Sequence, residues 1–324
     1  MAITLTDNEF FEGLSNLALY MRLIATNTSR RPNAFVDSFA TDTLAFGDTK
    51  IYPFTDLPTV KDYSETSSLL TVTKVKQNEE YIRITEEKFI PSSYSARILT
   101  MAVTGEEGLN EFIGYLLGQM ESAKVDYMYD TIITDLFAKT PTGASQTANV
   151  TTLPAADGES ASEINARGLV NNKRIALAVQ NAVDNLEVFN RGYNAKGYKQ
   201  AVDLADIKFI FCNPYKNENL IDLYATLLKS DVIERSFAKP EMFGIPTSKI
   251  PSGQDKVIGW LLDKRAYQWF YKFTFTGSFF DVSNLVVNNF LHFWFGKGWL
   301  DNLAMIKFVN TPAVASRSIN TPAA

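Results

Sequence analysis

The stretch Leu69-Leu70-Thr71-Val72-Thr73-Lys74-Val75-Lys76-Gln77-Asn78-Glu79-Glu80-Tyr81-Ile82-Arg83-Ile84-Thr85 reads as two β-branched strands around a polar turn at Gln77-Asn78-Glu79-Glu80. Glu86, Glu87 and Lys88 follow directly. A two-stranded ribbon is marginal in water, and this one is charged and has no core of its own, so it is expected to lean on another surface. Next comes Thr104-Gly105-Glu106-Glu107, with the spacing of a capping box. Apolar residues then recur at helical spacing through Phe112, Ile113, Leu116, Leu117, Met120, Val125, Met128, Ile132, Leu136 and Phe137. This predicts a single helix over 105–138, about 50 Å long at 1.5 Å per residue. Gly114 and Gly118 lie four apart on one face and are expected to admit a second backbone closely.

Outward from this pair of elements, Thr6 and Glu9 again have capping-box spacing, and Phe10 to Ile24 repeat at helical intervals, which predicts a helix over 7–25. Residues 26–43 are polar and irregular, with Arg30-Arg31-Pro32, and either form an arm laid over a neighbour or a solvated loop. Residues 44–68 read as extended structure and turns, and 139–161 as a loop of Thr, Ala, Ser, Gly and Pro. A helix is predicted over 162–190. Ile207-Lys208-Phe209-Ile210-Phe211-Cys212 is a short buried strand, and Asn213-Pro214 places an N-cap and a first-turn proline before a further helix. Strands bounded by Pro251-Ser252-Gly253 and by Gly259 come next, then two aromatic runs over 265–280 and 290–308. The tail from Asn310 is small and polar and is expected to be disordered. The class is α+β, without regular strand–helix alternation.

The 324 residues can bury a large core, and that length suggests two or three structural units. A net charge of −5 is a poor footprint for gripping nucleic acid, because phosphate affinity comes from clustered Lys and Arg. It does not prevent the chain from enclosing DNA. Cys212 is the only cysteine, so no internal disulfide forms. The start, Met1 to Asp7, has no basic n-region or long apolar run, so no signal peptide is expected. No stretch is long and apolar enough for a membrane-spanning helix.

Catalytic equipment is sparse. No GxGxxG or GxxxxGK[ST] occurs, and Gly296-Lys297-Gly298 reads as a turn between strands. His292, the only histidine, sits in an aromatic strand and reads as a satisfied strand residue rather than a general base. Cys212 reads as an inert buried thiol. The pairs Glu79-Glu80, Glu86-Glu87 and Glu106-Glu107 read as solvated or intersubunit charges. No catalytic, cofactor-binding or metal-ligating residue is assigned. The aromatic block from Trp260 to Trp299 reads as core and interface, since few cations are interspersed for a base- or sugar-stacking platform.

The order of these elements resembles the major capsid protein of tailed double-stranded DNA bacteriophages, the HK-ninety-seven-type capsid fold. The resemblance covers most of the chain. It rests on the hairpin at 71–90, the helix over 105–138, Phe209-Ile210-Phe211-Cys212-Asn213-Pro214, Val257-Ile258-Gly259-Trp260-Leu261-Leu262-Asp263 and the closing strands from Asn289. It implies an N-terminal arm (1–45), an extended β-hairpin loop (46–95), a peripheral domain with its spine helix (96–161), an axial domain (162–264), returning peripheral and axial strands (265–312) and a flexible tail (313–324).

The function so implied is structural. The subunit would self-assemble into pentamers and hexamers of an icosahedral head, in the host cytoplasm, around double-stranded DNA that it does not read. Expected partners are other copies of the chain, a portal and a separate scaffolding protein, because no charged coiled-coil segment precedes the arm. Lys74, Lys76, Arg83, Glu86, Glu87 and Lys88 are the expected intersubunit contacts. Two other classes remain open: an encapsulin-like compartment that binds a cargo enzyme, and a soluble carbohydrate-active or other enzyme.

Overall fold

The computed structural model describes residues 34–41, 48–62, 74–84, 86–95, 106–155, 158–212, 241–281 and 283–312. The helix expected over 7–25, the arm from 26 to 33, most of the first hairpin strand, the helix expected after Asn213-Pro214 and the tail from 313 lie outside these residues. The chain divides into two compact units, 1–51 with 81–132 and 267–298, and 52–80 with 133–266 and 299–324.

The first unit is built on a three-stranded antiparallel sheet. Helix α1 (Ala34–Phe39) precedes strand β1 (Thr49–Thr55), which pairs with β2 (Gln77–Arg83); β3 (Glu86–Ser95) follows. The polar run expected as a turn is therefore strand. Its residues alternate exposed and half-buried, and the inward ones, Asn78 and Glu80, find polar partners at Asn302, which sequence spacing cannot reveal. The hairpin arms are β1 and β2, whereas β3 runs antiparallel to a late strand, from Glu86 opposite Phe295 to Ser95 opposite Val286.

That late strand is β9 (Val286–Trp299), which also borders β8 (Tyr267–Asp281), giving the order β3-β9-β8. One face of the sheet is buried. Trp269 stacks on Phe295 at 4.7 Å and 2°, and Phe293 and Phe295 meet the Tyr127 ring edge-on at about 6 Å. Tyr127 belongs to helix α2 (Glu106–Ala138), the predicted long helix at its predicted length. Helix α1 adds Phe35 and Phe39, in edge contact with Tyr129 and Tyr267. Gly296, expected in a turn, lies inside β9. A Cβ there would collide with the Arg83 carbonyl, so this glycine serves close backbone approach. Gly118 has no atom within 4 Å of its would-be Cβ, so the close approach expected there is not made within the described chain.

The second unit holds a five-stranded mixed sheet in the order β4-β10-β7-β5-β6: β4 (Thr147–Val150), β5 (Ile207–Cys212), β6 (Glu241–Ile245), β7 (Val257–Asp263) and β10 (Met305–Asn310). Strand β4 lies in the stretch read as loop. It is an edge strand parallel to β10, only Val150 of it is fully buried, and its small polar residues give no alternation signal. Gly259, expected as a boundary, is inside β7, where a Cβ would strike the Ile210 carbonyl. The run expected over 290–308 divides into β9 and β10 at Leu300–Ala304. Helix α3 (Ala161–Glu187) starts with a full capping box between Ser160 and Glu163. It lays Ile175, Val179, Val183 and Leu186 on Phe209, Phe211, Leu261, Ile306 and Phe308 of the sheet. Opposite, Phe137 meets Trp260 edge-on at 4.7 Å. No helix among the described residues is long and apolar enough to cross a membrane.

Candidate assembly surfaces

In the first unit the outer face of the β3-β9-β8 sheet carries rings with no cover from the described chain. The strand register sets Glu87 against Trp294, Phe89 against His292, Pro91 against Phe290 and Ser93 against Asn288. Phe89 stacks on His292 at 5.6 Å, and Phe279 lies parallel to Phe290 at 6.2 Å. Phe275 adds a ring 6.4 Å from His292. Phe89 and Phe279 are each 56% exposed and Phe275 is 46% exposed, so three phenylalanines of one face are about half exposed. Isolated exposed rings are ordinary, but a contiguous aromatic surface marks an interaction site. The ring pairs, and the Ser93 hydroxyl donating to Asn288 Oδ1 at 2.6 Å, link the strands across this face. His292 belongs to this face. Its Nδ1 is 3.8 Å from Glu87 Oε1, and it is a strand residue, as its sequence context indicates.

The six residues expected at subunit contacts are divided between the two units. Lys74 and Lys76 belong to the second unit, and Arg83, Glu86, Glu87 and Lys88 to the first. Lys74, Arg83, Glu87 and Lys88 are exposed, and Glu86 is half-buried opposite Phe295. Lys76 is engaged within its own chain: its ammonium donates to the Lys196 carbonyl at 2.5 Å and sits 4.7 Å over the Tyr198 ring.

Lys76 marks a polar joint in the second unit that sequence reading missed. Asp56, at the end of β1 and only 8% exposed, accepts from the amides of Leu57 (3.0 Å) and Lys199 (2.9 Å) and from Arg191 Nη1 (2.6 Å). The Lys199 amide and then Arg191 hold its carboxyl below the usual carboxylate range. On β2, Glu80 accepts from the Asn302 amide at 3.3 Å, and burial pushes its carboxyl up. The partners lie 135 and 222 residues apart, so no local pattern announces them.

Two buried groups lie in the five-stranded sheet. Burial pushes the Cys212 thiol up to about 12, so it stays protonated and unreactive near neutrality. Lys208, 1% exposed, is pulled down to about 8 by burial. A cleft of 380 Å³ beside α3 is lined by Thr152, Arg167, Asn171, Asn172 and Asn310 among others. Arg167 there is paired with Glu159 at 2.8 Å, and among the described residues the lining holds no carboxylate.

The architecture has solved counterparts among phage capsid structures. The chain aligns with a capsid structure of Staphylococcus phage Andhra at TM-score 0.55 and 10% identity, covering 85% of this chain and 83% of that one. The asymmetric unit of the bacteriophage PhiM1 mature capsid gives 0.55 and 9%, covering 88% and 89%, and a capsid structure of cyanophage P-SCSP1u gives 0.52 and 13%, covering 88% and 90%. The fold is thus the α+β fold of HK-ninety-seven-type phage capsid proteins. No curated protein matches the sequence. The family model described as Phi29-like phage major capsid protein, however, matches residues 8–311, and the chain belongs to that family. It is a phage major capsid protein, a structural component of the virion shell.

Proposed function

We propose that the subunit closes an icosahedral head by offering the open aromatic face of its three-stranded sheet, and the loop between β1 and β2, to other copies arranged in pentamers and hexamers. The single observation that carries this reading is the face of Phe89, Phe275 and Phe279, exposed among the described residues and packed against Phe290 and His292, in a chain of a capsid family. Residues 46–95 act as the extended loop, α2 as the spine of a peripheral domain (96–161), 162–264 as the axial domain and 265–312 as the returning strands. Lys74, Arg83, Glu86, Glu87 and Lys88 supply register through intersubunit charges that are individually weak, at about 0 to 1 kcal/mol. A separate scaffolding protein and a portal guide closure. The acidic chain encloses double-stranded DNA without reading it and carries out no catalysis.

Electron microscopy of the purified protein, alone and coexpressed with its neighbouring genes, tests this. Closed shells, tubes or rings of five or six are the expected result, and shell size separates a phage head from an encapsulin-like compartment. A stable monomer under every condition refutes the assembly reading.

A further inference from the structure

Loop 190–200 of the second unit is rigid without help from the hairpin. Asn190 and Gln200 exchange backbone hydrogen bonds at 2.9 and 3.0 Å. Asn194, 2% exposed, spends its whole amide on Tyr198, accepting from its N–H at 2.8 Å and donating to its carbonyl at 2.7 Å. The Gly192 amide donates to Asn190 Oδ1 at 2.9 Å. Onto this platform the hairpin is fastened at its neck, from both strands. Asp56 comes from β1, with its three donors Leu57, Lys199 and Arg191. Lys76 comes from the approach to β2, with its bond to the Lys196 carbonyl. The two are also joined to each other, because the Asp56 amide donates to the Lys76 carbonyl at 2.9 Å. Arg191 is tied back to the same loop through the Gly197 carbonyl at 3.0 Å. Beyond the neck the burial pattern changes at once: every residue from Leu57 to Asp62 is exposed, Val60 at 94%.

We infer that Asp56 is the positioning residue of this neck: its carboxylate, gripped by the Lys199 amide and Arg191, fixes the direction in which the exposed run 57–62 leaves the joint. This rests on the shell reading above, since a position for that segment matters only if another copy receives it. The physical argument is one of entropy. An exposed run that is not held where it begins samples many directions, and each must be abandoned on docking. A neck held by three hydrogen bonds to one nearly buried carboxylate, two of them from the loop platform, removes much of that cost before assembly. The fold itself does not need the clamp, because the platform closes on its own side chains.

The test compares the full chain with Asp56→Ala, and with Asp62→Asn, which removes the same charge from an exposed site. Hydrogen exchange of the free subunit is read at the amides of Leu57 and Lys199, alongside melting temperature and the yield of closed particles. For Asp56→Ala, exchange at both amides is expected to speed by about tenfold or more. Particle yield is expected to fall by about fivefold or more while melting shifts little, and Asp62→Asn should match the parent in all three. If Asp56→Ala fails to fold, Arg191→Gln breaks the same grip from a half-exposed residue. Arg191→Lys, which keeps a cation for the single Nη1 contact, should restore particle yield. Unchanged exchange overturns the clamp. Faster exchange with undiminished particle yield leaves the clamp in place and overturns its positioning role. A parent chain that never assembles refutes the shell reading instead, and is recognised because the exchange result stands apart from it.

Discussion

The two sheets use the same kind of residue to different ends. In the five-stranded sheet every residue of β5 and β7 is buried. Helix α3 covers one face, and the Phe137–Trp260 contact lies on the other. In the three-stranded sheet Trp269, Phe293 and Phe295 are covered, while Phe89, Phe275 and Phe279 face water. The difference lies in cover, not composition. The first sheet finds both of its covers within its own chain and can stabilise a free subunit. The second finds one among the described residues, which leaves its remaining aromatic area open to another molecule. Stability and assembly therefore separate by sheet, which substitutions can test by their effect on the folding of the free chain.

The largest effect is expected at Trp260, which is fully buried. Trp260→Ala removes the ring that Phe137 packs against and should cost about 3 to 5 kcal/mol, enough to abolish the cooperative urea transition of the second unit. A loss below about 1 kcal/mol would mean that the closed sheet is not the seat of stability.

Lys208 in the same sheet should act in the opposite direction. Its folded-state pKa of about 8 lies below the ordinary lysine value of 10.5, so folding disfavours the charged form. The penalty is absent when both states are neutral at high pH, grows as pH falls from 10.5 towards 8, and is constant below that. Lys208→Met should therefore stabilise the protein by about 2 to 3 kcal/mol at pH 7 and flatten the alkaline slope of stability. Denaturant titrations at neutral pH and near pH 10 read both outcomes. Equal stability of the two proteins at neutral pH would show that Glu241 and Asp263, which pull the value up, already compensate the burial.

Gly118 comes next. Its would-be Cβ meets nothing within 4 Å, so Gly118→Ala should stabilise the free chain through helix propensity by up to about 1 kcal/mol and raise its melting temperature. If that gain is accompanied by lost particle yield, another copy approaches α2 at this glycine, as its spacing from Gly114 suggests.

What was legible in the sequence follows the range of the forces involved. The long helix α2, helix α3 and the buried strand β5 announce themselves through periodicity, because their burial is set within one or two turns or a few alternating residues. The Ser160–Glu163 capping box was equally local and was passed over. Gln77 to Glu80 look like turn residues in the sequence, whereas pairing of β2 with β1 makes them strand and Asn302, more than 200 residues away, satisfies the inward Asn78 and Glu80. Strand β4 was lost because an edge strand of Thr, Ala and Asn has no apolar alternation. The order of elements was enough to indicate a capsid fold, since it depends on many elements and survives errors in a few. The Asp56 clamp was not legible, because its partners Arg191 and Lys199 are ordinary surface residues until the chain folds.

The smallest effect on folding, and the sharpest test of the comparison, belongs to the open face. Phe89 and Phe279 are each more than half exposed, so Phe89→Ser and Phe279→Ser remove little buried area from the free subunit and should each cost less than about 1 kcal/mol. What they lose inside the chain is ring contact with His292 and Phe290. In a shell the same positions would be dehydrated in every subunit, and aromatic anchors at the centre of an interface are often worth about 2 kcal/mol or more. The double variant should therefore melt like the parent yet fail to form closed particles, with sedimentation showing free subunits. A double variant that assembles normally would mean that the exposed rings are not the contact, and that shell closure depends on the hairpin and its charged residues alone. A double variant that unfolds would erase the distinction between the sheets, because the open face would then be holding the subunit together as well.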